Sequence, residues 1–505
     1  MSYSLGAIDT IIIGVYAMIL IVMGWYFFRR SKTSEHFMVA GQSIPAWAAG
    51  IAVMSTYTSS ISYIAVPGKA FDSNWHPLIF ALSAIPVTWF VTAVVIPHYR
   101  KNNIISVYNY LEEKIGGWAR AYAAISFVLY MIGRTAVILY LSSLLLSAFL
   151  DVDIQNVIIL IGIVTIIYTL MGGMEAVIWT DVMQSVIMVG GILFVVAILS
   201  YDVFSGTDSV IQQAYYGGKF SFGDSTFSLS NRTIWVMIIY GVTENIRNLI
   251  ADQNYTQKYS SVGSEKEAKK SVWVAMLIYL PLTAIFLFVG TALFAFYSDG
   301  VHQLGAEITK GDQVFPYFIA TELPVGLKGL IIAAIIAASM STVDSALNSS
   351  ATVLYVDFYK KFFKGDLSER RSLVFLRSVT VIWGIFGIAF AVTLINAKSA
   401  LDVWWEISGI FGGGILGLFL LALFNAKLTF TQGITSVLFS IMVIIWATFM
   451  HNLSPEYTWL ESDFDPILIG AVATGAMILI ALIFVVYNKY KTLIEGEKQE
   501  IFTTK

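Results

Sequence analysis

Apolar runs of about twenty residues, separated by short polar connections, recur along the whole chain. They cover approximately Thr10–Phe28, Ala46–Phe71, Pro77–Pro97, Trp118–Leu150, Ile154–Leu170, Glu175–Leu199 and Thr233–Gln257 in the first half. Ser271–Tyr297, Gly326–Tyr359, Leu373–Leu394, Asp402–Phe424, Thr431–Met450 and Ile467–Val486 follow in the second. A helix needs about 20 residues to cross a hydrocarbon core of roughly 30 Å. The pattern therefore predicts about thirteen transmembrane helices. The runs are continuous rather than alternating with period two, which excludes a barrel, the other structure that satisfies its backbone in lipid. The expected fold class is an all-α polytopic membrane protein.

Two runs depart from plain hydrophobicity. Ala46–Phe71 carries Ser55-Thr56-Tyr57-Thr58-Ser59-Ser60 at mid-membrane depth, and Thr233–Gln257 carries Thr243-Glu244-Asn245 with Arg247 and Asn248. They lie five spans apart. Interrupted helices at matching places of two five-span halves point to an inverted-repeat transporter with a midplane site. A serine-rich helix packed closely on a neighbour is the plainer reading of the first.

Composition agrees with membrane burial: 57% of residues are hydrophobic and 12% charged, against about 25% charged in soluble domains. The net charge of −3 and the absence of a basic helical face argue against a nucleic-acid partner. There is no cysteine, hence no disulfide framework and no thiolate metal site. The histidines, His36, His76, His98, His302 and His451, fall at span ends or in loops, away from any intramembrane proton relay. No secretory leader is expected, and the first apolar run, ending in Arg29-Arg30, reads as a retained span.

Lys and Arg gather in alternate connections: Arg29, Arg30 and Lys32; Arg100, Lys101, Lys114 and Arg120; Lys258, Lys266, Lys269 and Lys270; Lys360, Lys361, Lys364, Arg370 and Arg371; Lys427 and the tail. The opposite set holds little beyond Lys219, Lys310 and Lys398. Cytoplasmic loops carry the basic excess, so the N-terminus is expected outside and the Lys505 end in the cytoplasm of an inner-membrane protein. The domain expectation is a single transport unit over 1–505: an extra helix at 10–28, a first repeat and the start of a second over 46–257, the rest of the second over 271–424, two further helices over 431–486 and a tail over 487–505.

Several polar residues inside apolar runs are candidates for chemistry. Ser341, Asp344 and Ser345 share one helical face, a set of hard oxygens suited to a small hard cation or, more plainly, to a packing seam. Asp181, at the start of a span with Gln184 one turn on, reads as a helix cap or as part of such a site. Arg134 lies well inside Trp118–Leu150. A buried guanidinium needs an anion, either a resident carboxylate such as Glu244 or one brought by a substrate. Arg247 is expected to pair internally with Glu244 or Asp252. Gly412-Gly413-Gly414 lacks the Lys-Ser/Thr of a phosphate loop and reads as close helix packing or a flexing point. Trp404-Trp405 reads as an interface anchor ahead of a gate.

Four stretches together resemble the sodium/solute symporter family. They are Gly50-Ile51-Ala52-Val53-Met54-Ser55 with the polar break after it, Gly172-Gly173 through Trp179-Thr180-Asp181-Val182-Met183-Gln184, Asp252-Gln253-Asn254-Tyr255-Thr256-Gln257-Lys258-Tyr259, and Ser341 through Leu347-Asn348-Ser349. The resemblance implies a LeuT-type transporter fold, an inverted five-plus-five helix repeat with two broken helices. Within the family the likeness is to bacterial sialic acid transporters, through Ser59-Ser60-Ile61-Ser62 and Ile132-Gly133-Arg134-Thr135-Ala136-Val137. It implies one sodium site from Ser55, Thr58, Ala338, Ser341 and Thr342, and a second from Asp181, Ser341, Asp344 and Ser345. Substrate would meet Arg134, Ser59 and Ser62 in a pocket that also takes in Tyr57, Thr56 and Asn245. Asp344 stands where such a relative has serine and adds negative charge. Tyr57, Pro77 and Ala81 stand for threonine, phenylalanine and glutamine.

The functional expectation is a symporter importing an acidic sugar, sialic acid, by alternating access, with two sodium ions as the coupling cations. Its partners are the anionic sugar, sodium and membrane lipid, with no nucleic acid and no obligatory protein partner evident. A symporter for a neutral sugar, an amino acid or another small carboxylate is the alternative within the family. A membrane solute sensor is more remote, because the tail after Val486 is too short for a signalling module. No nucleophile–base pair, metal cluster or nucleotide loop points to an enzyme.

Overall fold

The computed structural model describes residues 5–30, 33–101, 106–150, 152–205, 209–298, 302–306, 308–362, 368–396, 400–450 and 460–503. Lys32, Lys364, Lys398, His451 and Lys505, cited above, lie outside the described residues. Every regular element among those described is helical. In order these are α1 (Ala7–Arg30), α2 (Ser34–Val39), α3 (Ala46–Tyr57), α4 (Ser60–Asp72), α5 (Leu78–Phe90), α6 (Ile96–Lys101), α7 (Tyr108–Lys114), α8 (Gly117–Leu150), α9 (Ile154–Ser205) and α10 (Ser209–Tyr216). Then come α11 (Ile234–Ile246), α12 (Gln253–Ser260), α13 (Glu265–Tyr297), α14 (Gly311–Thr321), α15 (Leu327–Val353), α16 (Lys360–Phe362), α17 (Glu369–Thr393), α18 (Ala400–Leu423), α19 (Phe430–Phe449) and α20 (Ile469–Thr503).

Among the described residues nine helices are long and apolar enough to cross a membrane. The four apolar windows not counted there are the two interrupted ones and two that hold only short apolar helices, Ile154–Ile167 and Ile407–Leu423. The helices keep apolar faces outward, with Trp89 and Val186 each 67% exposed. Surface of that kind, continued around the bundle, calls for lipid. Inside, one apolar core runs from Ala40 to Ala481. The final window extends further than its hydrophobicity indicated, since α20 continues past Val486 through the expected tail to Thr503.

Both interruptions are real. α3 ends at Tyr57, Thr58 and Ser59 are extended, and α4 starts at Ser60. A break at this depth leaves the first amides of α4 without partners. Ser59 Oγ accepts from the Ile61 amide at 3.2 Å, and Ser62 Oγ accepts from the Ser59 amide at 3.3 Å. Ser59 near the end of the run and Ser62 just past it thus supply the capping chemistry that makes the break tolerable. The second break lies later than the polar residues that signalled it: α11 passes through a π-helical turn, Arg247–Ala251, and the chain is extended only at Asp252, whose carboxylate caps α12 through the Asn254 amide at 2.9 Å.

Gly173 interrupts α9 at φ 60° and ψ −160°, with a Cβ there falling 2.7 Å from the Phe37 backbone, so glycine is required on both counts. A second tight approach is Gly290 on α13, where a Cβ would lie 2.1 Å from the Pro67 carbonyl oxygen of α4. Gly290→Ala should therefore lower stability by about 1–3 kcal/mol. Thermal unfolding in detergent would show it, and an unchanged midpoint would contradict this packing.

One buried carboxylate gave no sequence signal. Asp9, just ahead of the first apolar window, accepts from the amides of Gly326 at 2.7 Å and Gly329 at 2.8 Å, satisfying the N-terminus of α15 from a distant helix.

Candidate functional site

The two breaks face a cavity with about 170 Å³ of internal space, walled by α3, α4, α5, α8, α11, α12, α13 and α18. Ser62, Ala65, Val66 and Lys69 line it from one face of α4 at helical spacing. Tyr57, Tyr255 and Tyr279 form an aromatic wall, with ring centroids 4.7 and 4.9 Å apart along the trio.

Arg134 enters this cavity from α8 and is buried, with 5% exposed. Its Nη2 donates to the Thr56 carbonyl at 2.7 Å and the Tyr255 hydroxyl at 3.3 Å, and its guanidinium sits 5.6 Å from the rings of Tyr255 and of Trp404. Among the described residues no carboxylate forms an ion pair with it. Glu244, the resident partner considered from sequence, is bound in bidentate fashion by Arg247 at 2.9 and 2.6 Å. Arg247 also reaches Asp252 at 3.4 Å and the Tyr130 hydroxyl at 2.8 Å, so its expected internal pairing is present. The cavity thus holds a buried guanidinium whose partners are neutral oxygens and aromatic faces, a setting that favours an incoming anion.

Ser59 and Ser62 line the same cavity, as does Tyr57. Thr56 stands behind the wall: its carbonyl accepts from Arg134 while its hydroxyl accepts from Lys258. Asn245 is not among the lining residues. Its amide nitrogen donates to the Phe80 carbonyl, Ser83 Oγ and the Gly241 carbonyl at 2.8–3.1 Å, which pins α11 to α5. Ala81 is buried outside the cavity, whereas Pro77 lines it. Trp404, read as an interface anchor, instead forms part of the wall, its ring 5.3 Å from that of Tyr130.

Lys69 and His76 stand beyond Ser62 and were not singled out from sequence. The His76 ring nitrogen Nδ1 is 2.8 Å from Asn74 Oδ1, and burial, with Lys69 and Arg232 nearby, pushes its pKa down to about 4. The unfolded chain, at about 6.5, takes up the proton first as the pH falls. His76 therefore makes stability decline from about pH 6.5 towards pH 4. His76→Gln should flatten that part of a melting-temperature profile against pH, and a profile identical to the parent would contradict the assignment.

The residues of the first expected cation site lie on α15 and at the end of α3, two helices packed against each other. Ser341 Oγ and Thr342 Oγ1 both converge on the Ala338 carbonyl, at 3.1 and 3.2 Å. Thr58 is in the extended break, and the buried Ser55 hydroxyl has no hydrogen-bond partner. Carbonyl and hydroxyl oxygens of this kind fit a small hard monovalent cation.

The second set is also buried, with Ser345 Oγ donating to the Ser341 carbonyl at 2.7 Å and to Asp344 Oδ1 at 3.2 Å. Asp181 is different from expectation: one of its oxygens is already held by Lys258 at 2.7 Å, and both side chains are fully buried. Lys258, counted above with the loop cations, lies inside the protein because α12 packs against α3 after the break. Lys258 stands one residue past the window that ends at Gln257, where a cation reads as part of a loop.

A further charged group was not singled out from sequence. Arg120 binds Glu112 at 2.5 Å and Asp357 at 2.6 Å, and Lys361 binds Glu112 at 2.5 Å, joining α7 and α8 to the π-helical segment Leu354–Tyr359 and α16 that follow α15.

Comparison with known proteins gives one consistent answer. A family profile described as the sodium:solute symporter family matches residues 37–439. The sodium/sialic acid symporter of Aliivibrio fischeri is 34% identical over 454 residues, 89% of this chain and 90% of its own length. That of Proteus mirabilis is 32% identical over 473 residues, 93% of this chain and 95% of its own. Among solved structures, a Na+-coupled sialic acid symporter in a substrate-bound outward-open state matches with a TM-score of 0.87 at 31% identity, covering 95% of this chain and 98% of that one.

Proposed function

The chain belongs to the sodium:solute symporter family, and from that premise we propose that it imports sialic acid, driven by sodium. The observation that carries the substrate assignment is Arg134, a buried guanidinium in the central cavity with no carboxylate paired to it among the described residues. The substrate carboxylate supplies the missing anion, and the hydroxyls of Ser59 and Ser62 on the capped start of α4 bind beside it. Sodium enters at two places: the Ser55, Thr58, Ala338, Ser341 and Thr342 oxygens, and the Asp181, Ser341, Asp344 and Ser345 face. Two sodium ions with one anion move one net positive charge, worth about 2.3 kcal/mol per 100 mV, so import draws on membrane potential as well as sodium.

The same reading takes the helices as thirteen spans in an inverted five-plus-five repeat, one transport domain in an inner membrane with its N-terminus outside and its C-terminus cytoplasmic. The breaks at Thr58 and Asp252, on helices five windows apart, support it, as does the basic bias of alternate loops.

A second reading, a smaller carboxylate, is favoured by Tyr57, whose ring joins Tyr255 and Tyr279 in narrowing the cavity. Ligand-induced thermal shifts separate the two. Sialic acid should stabilise the detergent-solubilised protein in sodium and not in potassium, whereas its methyl ester, glucose, proline and pyruvate should do little. A shift with pyruvate and none with sialic acid would favour the second reading, and equal shifts for sialic acid and its ester would remove the role of Arg134.

A further inference from the structure

Lys258 fills a place where the sodium-symport reading expects a cation. An ammonium has three hydrogens to donate. Those of Lys258 are taken by Asp181 Oδ2 at 2.7 Å, the Ala52 carbonyl at 3.1 Å and the Thr56 hydroxyl. Neither Lys258 nor Asp181 has any exposed side-chain surface.

Beside this pair lie three oxygens that nothing among the described residues satisfies. Asp181 Oδ1, Gln184 Oε1 and Ser185 Oγ are buried and have no hydrogen-bond partner. Spaced i, i+3 and i+4, they share one face of α9. α9 packs along α15, which carries Ser341, Asp344 and Ser345. The Gln184 amide nitrogen is already used, donating to the Tyr16 hydroxyl at 3.2 Å, so its oxygen is the atom left over. Buried oxygens without donors are costly, and three on one face match the needs of a hard cation better than those of a packing seam.

We propose that Lys258 is a resident counter-cation that competes with sodium for Asp181, and that the ion binds through Asp181 Oδ1 with Gln184 Oε1 and Ser185 Oγ as additional ligands. The inference rests on the sodium-symport reading and refines its second cation site. Without sodium, the ammonium neutralises Asp181. Sodium arriving on the opposite oxygen repels the ammonium and loosens it from Oδ2. The consequence reaches the substrate pocket through one residue, since the Thr56 hydroxyl accepts from Lys258 and the Thr56 carbonyl accepts from Arg134. Thr56 thereby joins the cation site to the anion site without lining the cavity.

The test is the sodium-induced shift in thermal unfolding of the substrate-free protein in detergent, titrated at constant ionic strength with choline. If the ammonium leaves the site open to sodium about a tenth of the time, Lys258→Met lowers the half-saturating sodium concentration about tenfold. Lys258→Arg, which retains the competing charge, keeps it near the parent value. Ser185→Ala and Gln184→Leu, which leave the Lys258 contacts in place, raise it severalfold. A folded Lys258→Met protein with unchanged or higher half-saturation overturns the proposal. If that variant does not fold, parent-like titrations of both Ser185→Ala and Gln184→Leu overturn it. A parent protein that ignores sodium altogether overturns instead the coupling reading on which this inference stands.

Discussion

Arg134→Ala should all but abolish recognition of sialic acid. Removing one partner of a buried, charge-assisted contact costs about 3 kcal/mol, roughly a hundredfold in affinity. The loss should appear chiefly as a raised KM for uptake and as the disappearance of the ligand-induced thermal shift. Arg134 also holds the Thr56 carbonyl and the Tyr255 hydroxyl, so the unliganded melting temperature must be compared alongside. Arg134→Lys keeps the charge but not the planar fork, and should recover part of the affinity. An Arg134→Ala protein that imports sialic acid with parental KM would show that the carboxylate is read elsewhere.

The second large effect falls on stability. Arg247 is 2% exposed and binds Glu244, Asp252, Tyr130 and Asn248. Arg247→Met leaves the buried Asp252 and the partly buried Glu244 without their cation, and removal of one partner from a buried pair costs about 3–5 kcal/mol. The expected result is a strongly lowered melting temperature in detergent, partly restored in the double variant that also carries Glu244→Gln. Unfolding at the parental temperature would contradict a structural role for this network. The contrast between the two arginines is informative: one is consumed by resident carboxylates, and the other is left for a ligand.

The chain announced its architecture where local chemistry and packing coincide. The serine run at 55–60 was readable as a break because Ser59, one of the hydroxyls that interrupt the apolar pattern, also caps the helix beyond it. The second break was readable to within a turn or two only, since Glu244 and Asn245 belong to the helix before the interruption and Asp252 makes the turn. What stayed hidden depended on partners far along the chain. Lys258 meets Asp181 across 77 residues, and Asp9 meets Gly326 across 317. Neither contact leaves a periodic trace. Asn245 shows the same dependence on distant partners: its amide nitrogen is taken by the Phe80 carbonyl and Ser83, while its Oδ1 is buried without a hydrogen-bond partner. Trp404 was ambiguous because an aromatic near a span end serves an interface and a pocket wall equally well.

The central claim, sodium-driven import of sialic acid, is tested most directly by uptake into proteoliposomes containing the purified protein. With sodium outside and potassium inside, labelled sialic acid should accumulate above its external concentration, faster still when valinomycin makes the interior negative. Replacing external sodium with choline should abolish accumulation. Equal uptake with and without the sodium gradient, or accumulation indifferent to membrane potential, would contradict the account.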